Sequence, residues 1–295
     1  MNSPPLRPLA RCIPSGMLAL VLAACPVWAE DFADVEYKTD VEYGTGGGEK
    51  LLLDVATPKS QNGTLPGLVF IHGGGWSGGD KRDFGELAKR GAKAGYVAIT
   101  INYRHAPKHV FPAQIEDCKC AVRWLRAKAD ELKVDPKRIG AAGGSAGGHL
   151  VMMLGLMDPS DGLEGEGGHA DQSSKVQAVV SYVGPTNLIG EFPPVSQQIL
   201  KNFLGGTQQE KLDLYRQASP ITYVTGGDAP MLLFQGTTDV LVPYDQAFQM
   251  TQAMQKVGVP GRVEFLIGEG HAWGGAEMDR TMQSMFAFFD GKLKK

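Results

Sequence analysis

Two serines of this chain lie in the spacing G-x-S-x-G, which is typical of activated serine nucleophiles. One is Ser145 in GGSAGGHL (143–150), and the other is Ser77 in GWSGG (75–79). Because the chain contains 39 glycines, the bare pattern does not choose between them. A serine hydroxyl becomes a good nucleophile only when a base removes its proton and hydrogen-bond donors receive the oxyanion. The residues around each serine therefore decide which one fits this chemistry.

The surroundings of Ser145 are those of a nucleophile at the end of a strand. The run RIGAAGG (138–144) precedes it, and an apolar segment with helical character follows. Reactive groups of open parallel sheets lie at the carboxyl ends of strands. Gly143 and Gly147 would let a strained turn pass closely between strand and helix. Ser77 instead leads into a charged segment, so we predict Ser145 as the nucleophile and Ser77 as a loop residue.

The glycine run HGGGW (72–76) is the predicted oxyanion loop. It leaves an apolar strand, and its consecutive glycines let amide N–H groups turn toward one point. We predict Gly74, Gly75 and the N–H after the nucleophile, that of Ala146, as donors, with His72 bracing the turn. A phosphate-binding loop is disfavoured, since no Lys-Ser/Thr pair follows and no G-x-G-x-x-G opens a helix.

The predicted base and its orienting acid follow the last two strands of the chain. His271 lies in IGEGHAWGG after the final strand, and Asp239 lies in FQGTTDVLVPY after the strand before it. A solvated turn aspartate is the ordinary alternative for Asp239, and Asp228 and Asp245 are fallback acids. The chain order Ser145, Asp239, His271 is that of α/β-hydrolases.

Strand-like and helical segments alternate along the chain, which predicts an α/β fold with a doubly wound, mostly parallel sheet. Several strands are apolar throughout, as expected when both faces of a sheet are covered. Helical stripes are predicted over 112–133, from Ala247 to Val257 and from Met278 to Phe289. The predicted strands cover 50–56, 67–73, 96–103, 138–144, 176–183, 231–236 and 262–268.

Two segments interrupt this alternation. Residues 184–230 contain two short amphipathic stretches and are predicted to form a small cap over the sheet edge. Residues 158–175 are polar and glycine-rich, and their acids lack EF-hand spacing, so a solvated loop is favoured over a calcium loop. Trp76 and Trp273 flank the predicted oxyanion loop and base, and either line the substrate pocket or pack in the core.

Composition indicates a globular protein without a nucleic-acid partner. Apolar residues make up 43% and charged residues 21%, the net charge is −3, and the basic residues are dispersed. Residues 1–29 are typical of an export signal, cleaved before Glu30 or, alternatively, lipidated at Cys25 through LAAC. A single domain (30–295) without a transmembrane segment would follow. Cys118 and Cys120 are predicted to be free, since their side chains diverge on a helix.

Together these motifs resemble the hormone-sensitive-lipase-like α/β-hydrolase esterases. The resemblance spans roughly residues 40–290 and is carried by five segments: HGGGW, NYRHAPKHVFPAQIEDCKCAVRWLRAKA, RIGAAGGSAGGHL, GTTDVLVPY and GEGHAWGG. The likeness is strongest to secreted bacterial bifunctional feruloyl and acetyl-xylan esterases, and it implies the same triad and oxyanion donors. Two departures concern the acyl pocket: His105 and Lys108 replace the usual Leu and Glu, and Ala142 replaces a bulkier residue.

The residues and the resemblance predict a serine carboxylesterase for short acyl esters, acetyl or feruloyl, on a small molecule or a polysaccharide such as xylan. Such a mechanism requires no metal or organic cofactor. A small-molecule esterase or lipase, or an aryl formamidase with the same triad, is the alternative enzyme. A non-catalytic binding module on the same fold is the alternative of a different class. A peptidase of the prolyl-oligopeptidase kind would need a gating domain, for which the chain has no room.

Overall fold

The computed structural model describes residues 31–295, so the predicted export signal with Cys25 lies outside the described residues. Within this range, strands and helices alternate as the sequence predicts. The eight strands are β1 (Val35–Gly46), β2 (Glu49–Pro58), β3 (Leu65–Ile71), β4 (Val97–Ile101), β5 (Val134–Gly144), β6 (Ala178–Tyr182), β7 (Met231–Gly236) and β8 (Gly261–Leu266). The eight α-helices of residues 31–295 are α1 (Gly85–Lys93), α2 (Ala113–Ala127), α3 (Ala129–Leu132), α4 (Ala146–Leu156), α5 (Pro194–Leu204), α6 (Leu212–Gln217), α7 (Asp245–Lys256) and α8 (Gly275–Leu293).

All eight strands form one sheet in the order β1-β2-β4-β3-β5-β6-β7-β8. Strands β3 to β8 are parallel to their neighbours among themselves, whereas β2 pairs antiparallel with both β1 and β4. The chain leaves β3 toward β4 and then returns to place β5 on the other side of β3. Strand order therefore reverses between β3 and β5, and ligands of open α/β sheets bind at such a reversal.

Strand β1 was not among the strands predicted from the sequence. Its residues alternate between apolar and polar in VEYKTDVEY, because one face of this edge strand packs inward while the other is solvated. A shift in register between Lys38 and Val41 interrupts that alternation. The edge position and the shift explain why a search for continuously apolar runs missed it.

Helices cover both faces of the sheet, which explains why its central strands are apolar throughout. Neighbouring residues of a strand point to opposite faces: Val69 and Ile71 join the core beneath α2, α4 and α7, while Leu68 and Phe70 join the core beneath α1 and α8. The predicted helix over 112–133 is divided at Lys128 into α2 and α3. Among residues 31–295, no helix is long and apolar enough to cross a bilayer.

The segment 158–175 is held by ion pairs on the buried side of α2. Glu164 accepts hydrogen bonds from Lys119 Nζ and Arg123 Nη1, both at 2.8 Å, and both basic side chains are almost fully buried. Because Glu164 pairs with two buried cations, it anchors the predicted solvated loop to α2.

Candidate active site

The predicted site residues follow four strands whose carboxyl ends meet at one edge of the sheet. Ser145 follows β5, and the glycine run 72–76 follows the neighbouring β3, with Ile71 paired to Gly143. Asp239 follows β7, and His271 follows its neighbour β8. Parallel strands bring these loops together because their ends share one edge.

Ser145 occupies a strained turn between β5 and α4. Its φ of +54° and ψ of −118° are unfavourable for a residue with a side chain, and its N–H donates to the Tyr182 carbonyl at 2.7 Å. Gly147 permits the turn, because a Cβ there would lie 2.0 Å from the Ile71 oxygen. A Cβ on Gly143 would lie 2.5 Å from Gly147. Both positions are therefore open only to glycine, as the sequence predicts.

A chain of hydrogen bonds joins Ser145, His271 and Asp239. The Ser145 hydroxyl lies 2.9 Å from His271 Nε2, and His271 Nδ1 lies 2.8 Å from Asp239 Oδ2. Since a carboxylate only accepts, Nδ1 carries the imidazole proton and Nε2 is free to accept from the serine. Ser145 and His271 are 126 positions apart in the sequence, and the fold brings them within hydrogen-bonding distance.

The Asp239 carboxylate is fully buried and has a partner for each oxygen. Oδ1 accepts from the N–H groups of Leu241 and Val242 at 2.8 and 2.9 Å, and Oδ2 also accepts from Gln235 Nε2 at 3.1 Å. These donors hold the carboxylate in one orientation toward His271. The fallback acids lie elsewhere: Asp228 bonds to Thr225, and Asp245 begins α7.

The glycine run lies directly against the nucleophile. A Cβ on Gly73 would lie 2.9 Å from the Gly144 oxygen and 3.3 Å from Ser145 Cβ. Gly74 and Gly75 have φ values of +105° and +59°, which glycine adopts without strain. Ala146 is the first residue of α4, where backbone N–H groups have no partner within the helix. The predicted donors thus lie on two segments that meet at Ser145.

His72 holds the glycine run in place through a hydrogen bond and a ring stack. Its Nδ1–H donates to the Gly73 carbonyl at 2.8 Å, and its ring stacks on Tyr103 with centroids 4.4 Å apart. Tyr103 donates to the carbonyls of His72 and Gly73 at 3.1 and 3.3 Å. Burial lowers the pKa of His72 to about 4, so it is neutral at physiological pH and takes the bracing role that the sequence predicts.

Both predicted pocket tryptophans are buried. Trp76 is 3% exposed and stacks on Phe203 of α5, with ring centroids 4.1 Å apart. Trp273 is 7% exposed, donates to Thr281 Oγ1 at 3.1 Å and joins the core beneath α8. Core packing, the second of the two predicted roles, describes both side chains. Ser77 is exposed, and its N–H donates to the Gly74 carbonyl at 3.1 Å within the loop.

The sequence analysis did not predict that the insertion 184–230 contacts the glycine run. Ile199 of α5 approaches Gly75, since a Cβ on this glycine would lie 3.0 Å from it, and Phe203 packs on the next residue. Ser196, also on α5, donates to the Leu241 carbonyl at 2.7 Å. The amphipathic stretch was visible in the sequence, but the surface that it covers was not.

Of the departures from the resembled family, His105 lies next to the glycine run. His105 packs edge-on against Tyr103 and His72, with ring centroids 5.3 and 5.7 Å away. Lys108 pairs with Glu49, and Ala142 is buried in the core beneath α8. His105 therefore borders the brace of the glycine run.

Comparison with known proteins identifies the family. Residues 53–254 match the model of the BD-FAE family. The chain belongs to this family. Esterase LipC of Mycobacterium tuberculosis is 33% identical over 230 residues, which are 75% of this chain and 57% of LipC. This chain spans about half the length of the curated relatives it matches.

Solved structures show the same α/β-hydrolase fold. A truncated form of a carbohydrate esterase from gut microbiota superposes with a TM-score of 0.77 and 26% identity, covering 88% of this chain and 97% of the other. Propionate-bound esterase 2 of Thermogutta terrifontis superposes with a TM-score of 0.73 and 26% identity, covering 89% and 96%. The mostly parallel, doubly wound sheet predicted from the sequence is confirmed.

Proposed function

We propose that this protein is a serine carboxylesterase that hydrolyses short acyl esters, acetyl or feruloyl, carried by a plant polysaccharide such as xylan. The observation that carries the proposal is the hydrogen-bonded line from Ser145 through His271 to the buried carboxylate of Asp239. This arrangement is the one that activates a serine hydroxyl for attack on a carbonyl. Relatives named as esterases support the same reaction type.

In the first half of the reaction, Ser145 Oγ attacks the ester carbonyl carbon while His271 Nε2 takes the hydroxyl proton. Asp239 keeps the proton of the imidazole on Nδ1 and stabilises the imidazolium that forms. The C–O bond to the alcohol then breaks, and the alcohol leaves with the proton from Nε2. An acyl group remains bonded to Ser145.

The negative charge of the tetrahedral intermediate falls on the former carbonyl oxygen. Gly74, Gly75 and Ala146 are the proposed N–H donors to this oxygen, because their segments meet at Ser145. The loop of Gly74 and Gly75 is held in place by His72 and Tyr103. The start of α4 adds the positive end of a helix dipole. In the second half, His271 takes a proton from water, the hydroxide attacks the acyl carbon, and the acid leaves as the proton returns to Ser145.

Two compared structures and the predicted export favour a short acyl group on a carbohydrate. One superposed enzyme is a carbohydrate esterase, and another is bound to propionate, a three-carbon acid. The proposed export of the protein agrees with a polysaccharide substrate, since such polymers lie outside the cell.

The catalytic part of the proposal is tested with Ser145→Ala and Ser77→Ala, a matched pair of serines with the same flanking pattern. We expect Ser145→Ala to lose p-nitrophenyl acetate hydrolysis by a factor of about 10⁶ while Ser77→Ala retains it. Circular dichroism and the melting temperature of both variants show whether they are folded. A folded Ser145→Ala protein with wild-type turnover would refute the proposal.

The substrate class is tested with one panel of acetylated xylan, methyl ferulate, p-nitrophenyl esters of increasing acyl length and an aryl formamide. Release of acetate from the polymer, or of ferulate from its ester, with kcat/KM above that for small acetyl esters supports the proposal. Preference for long acyl chains or for the formamide would replace the proposed substrate by that of a lipase or a formamidase.

A further inference from the structure

His149 is a buried histidine next to the site that the proposed mechanism does not use. It lies on α4 one turn after the nucleophile, where its N–H donates to the Ser145 carbonyl at 3.0 Å. Its side chain is fully buried, and both ring nitrogens have a partner. A buried imidazole with two defined partners has a fixed orientation.

The two partners fix a single tautomer. His149 Nε2 lies 2.7 Å from the Ala218 carbonyl, which only accepts, so Nε2 carries the proton. Nδ1 lies 3.3 Å from Nε1 of Trp76, whose indole N–H only donates, so Nδ1 offers its lone pair. Protonation of Nδ1 would break the bond to the indole. Burial lowers the pKa of His149 to about 4, which keeps the ring neutral.

The partners belong to two different parts of the site. Trp76 ends the glycine run and has a left-handed φ of +56°, while Ala218 follows α6 in the insertion 184–230. Trp76 also stacks on Phe203 of α5, and its carbonyl accepts from the N–H of Ala106 at 2.8 Å. The indole is thus held on one side by the insertion and on the other by the nucleophile helix.

We infer that His149 is a positioning residue, whose hydrogen bonds to Trp76 and Ala218 tie the oxyanion loop and the insertion to the helix that carries Ser145. This inference rests on the proposed function, and it adds a residue that acts on catalysis without touching the substrate. Loss of the bond from Trp76 leaves only the Phe203 stack and the Ala106 hydrogen bond to hold this residue, and it loosens the left-handed end of the glycine run. The donors at Gly74 and Gly75 then lose their fixed distance to the oxyanion.

The kinetic test compares His149→Phe, which keeps a planar ring without hydrogen bonds, with His149→Gln, whose amide can donate to Ala218 and accept from Trp76. We expect His149→Phe to lower kcat for p-nitrophenyl acetate by about tenfold to a hundredfold with little change in KM. His149→Gln should restore most of kcat. Trp76→Phe should lower kcat too, and the double variant should be no worse than the poorer single one.

Met153→Ala is the matched control, because it opens a cavity on the buried face of the same helix. It should lower the melting temperature while kcat stays near the wild-type value. If Met153→Ala and His149→Phe reduce kcat alike, or if His149→Phe retains full kcat, His149 does not position the loop. Absence of ester hydrolysis by the wild-type protein would instead refute the proposed function.

A second measurement reads the bond itself and does not depend on activity. In ¹⁵N-labelled protein the indole N–H signal of Trp76, assigned by its loss in Trp76→Phe, should exchange slowly with solvent. In His149→Phe the chemical shift of this N–H should change and its exchange with solvent should become faster. In His149→Gln both should be close to the wild-type values. An indole signal that is the same in wild type and His149→Phe would overturn the inference, whether or not the kinetic variants fold well.

Discussion

Replacing Gly147 by Ala tests whether the close approach of α4 to β3 is required for the site. Alanine is a better helix former than glycine by about 1 kcal/mol, so helix propensity alone predicts a more stable protein. The structure predicts the reverse. The new Cβ would lie 2.0 Å from the Ile71 oxygen and 2.6 Å from the His72 oxygen, and both are backbone atoms that cannot turn away.

The clash outweighs the gain in propensity. Overpacking a tight interior costs about 1–3 kcal/mol and occasionally more, and here the contacted backbone atoms cannot change rotamer to relieve the clash. We expect Gly147→Ala to lower the free energy of unfolding by about 2–4 kcal/mol, which is a fall of about 5–15 °C in melting temperature. Because α4 carries Ser145, a shift of about 1 Å should also lower kcat/KM by about a hundredfold.

Gly291→Ala is the matched control, since Gly291 is also helical but its added Cβ would have no heavy atom within 4 Å beyond its chain neighbours and the backbone of its own helix. It should raise stability by up to about 1 kcal/mol without changing kcat/KM. Urea unfolding followed by fluorescence gives the stability, and p-nitrophenyl acetate hydrolysis at 25 °C gives the activity. The reasoning is refuted if Gly147→Ala behaves as Gly291→Ala does in both assays.

Three further predictions follow from buried charges and imidazoles. Asp239→Asn should lower kcat by about 10⁴, because the imidazole loses the partner that sets its tautomer. His72 and His149 have folded pKa values of about 4, below the unfolded value, so only the unfolded chain gains their protons as pH falls below about 6.5. Protonation of each of these histidines in the unfolded chain should lower the free energy of unfolding by about 2 kcal/mol between pH 7 and pH 5. The contribution of His149 should be absent in His149→Gln. Glu164→Gln should cost about 2 kcal/mol, since two buried cations of α2 lose their carboxylate.

Each of these predictions has a control and an outcome that contradicts it. For Asp239→Asn, an unchanged kcat would mean that another acid orients His271, and Asp245→Asn is the comparison. For the imidazoles, the slope of stability with pH must differ between wild type and His149→Gln. For Glu164→Gln, the neighbouring Glu166→Gln, an exposed residue, should leave stability unchanged, and equal effects would exclude the proposed anchoring.

The sequence was most informative where chemistry restricts the residue type. Ser145, Asp239 and His271 could be selected because each follows a predicted strand, and parallel strands place the residues after their carboxyl ends at one edge of the sheet. Strand β7 lies at the predicted residues, and α4 begins directly after the predicted nucleophile. The antiparallel strand β1 was missed because alternation at a solvated edge gives a weaker signal.

Contacts made by long-range packing could not be predicted from local patterns. Nothing in the amphipathic stretch of α5 indicates that Phe203 stacks on Trp76, since the stripe records only that one face is buried. The same holds for Glu164, whose partners on α2 are 41 and 45 residues away. The partners of His149 are likewise distant, at 73 and 69 residues along the chain.

The stacking of Phe203 on Trp76 has a consequence for protein engineering. Exchanging the insertion 184–230 for another sequence is one way to alter such a protein, because the insertion lies outside the strands of the sheet. A graft that omits the aromatic ring at position 203 would remove the stack on Trp76, so we expect it to disturb the proposed oxyanion loop as well as the substrate specificity. Libraries aimed at new substrates should therefore keep this ring and vary the solvent-facing side of α5, where Val195 and Gln198 are exposed.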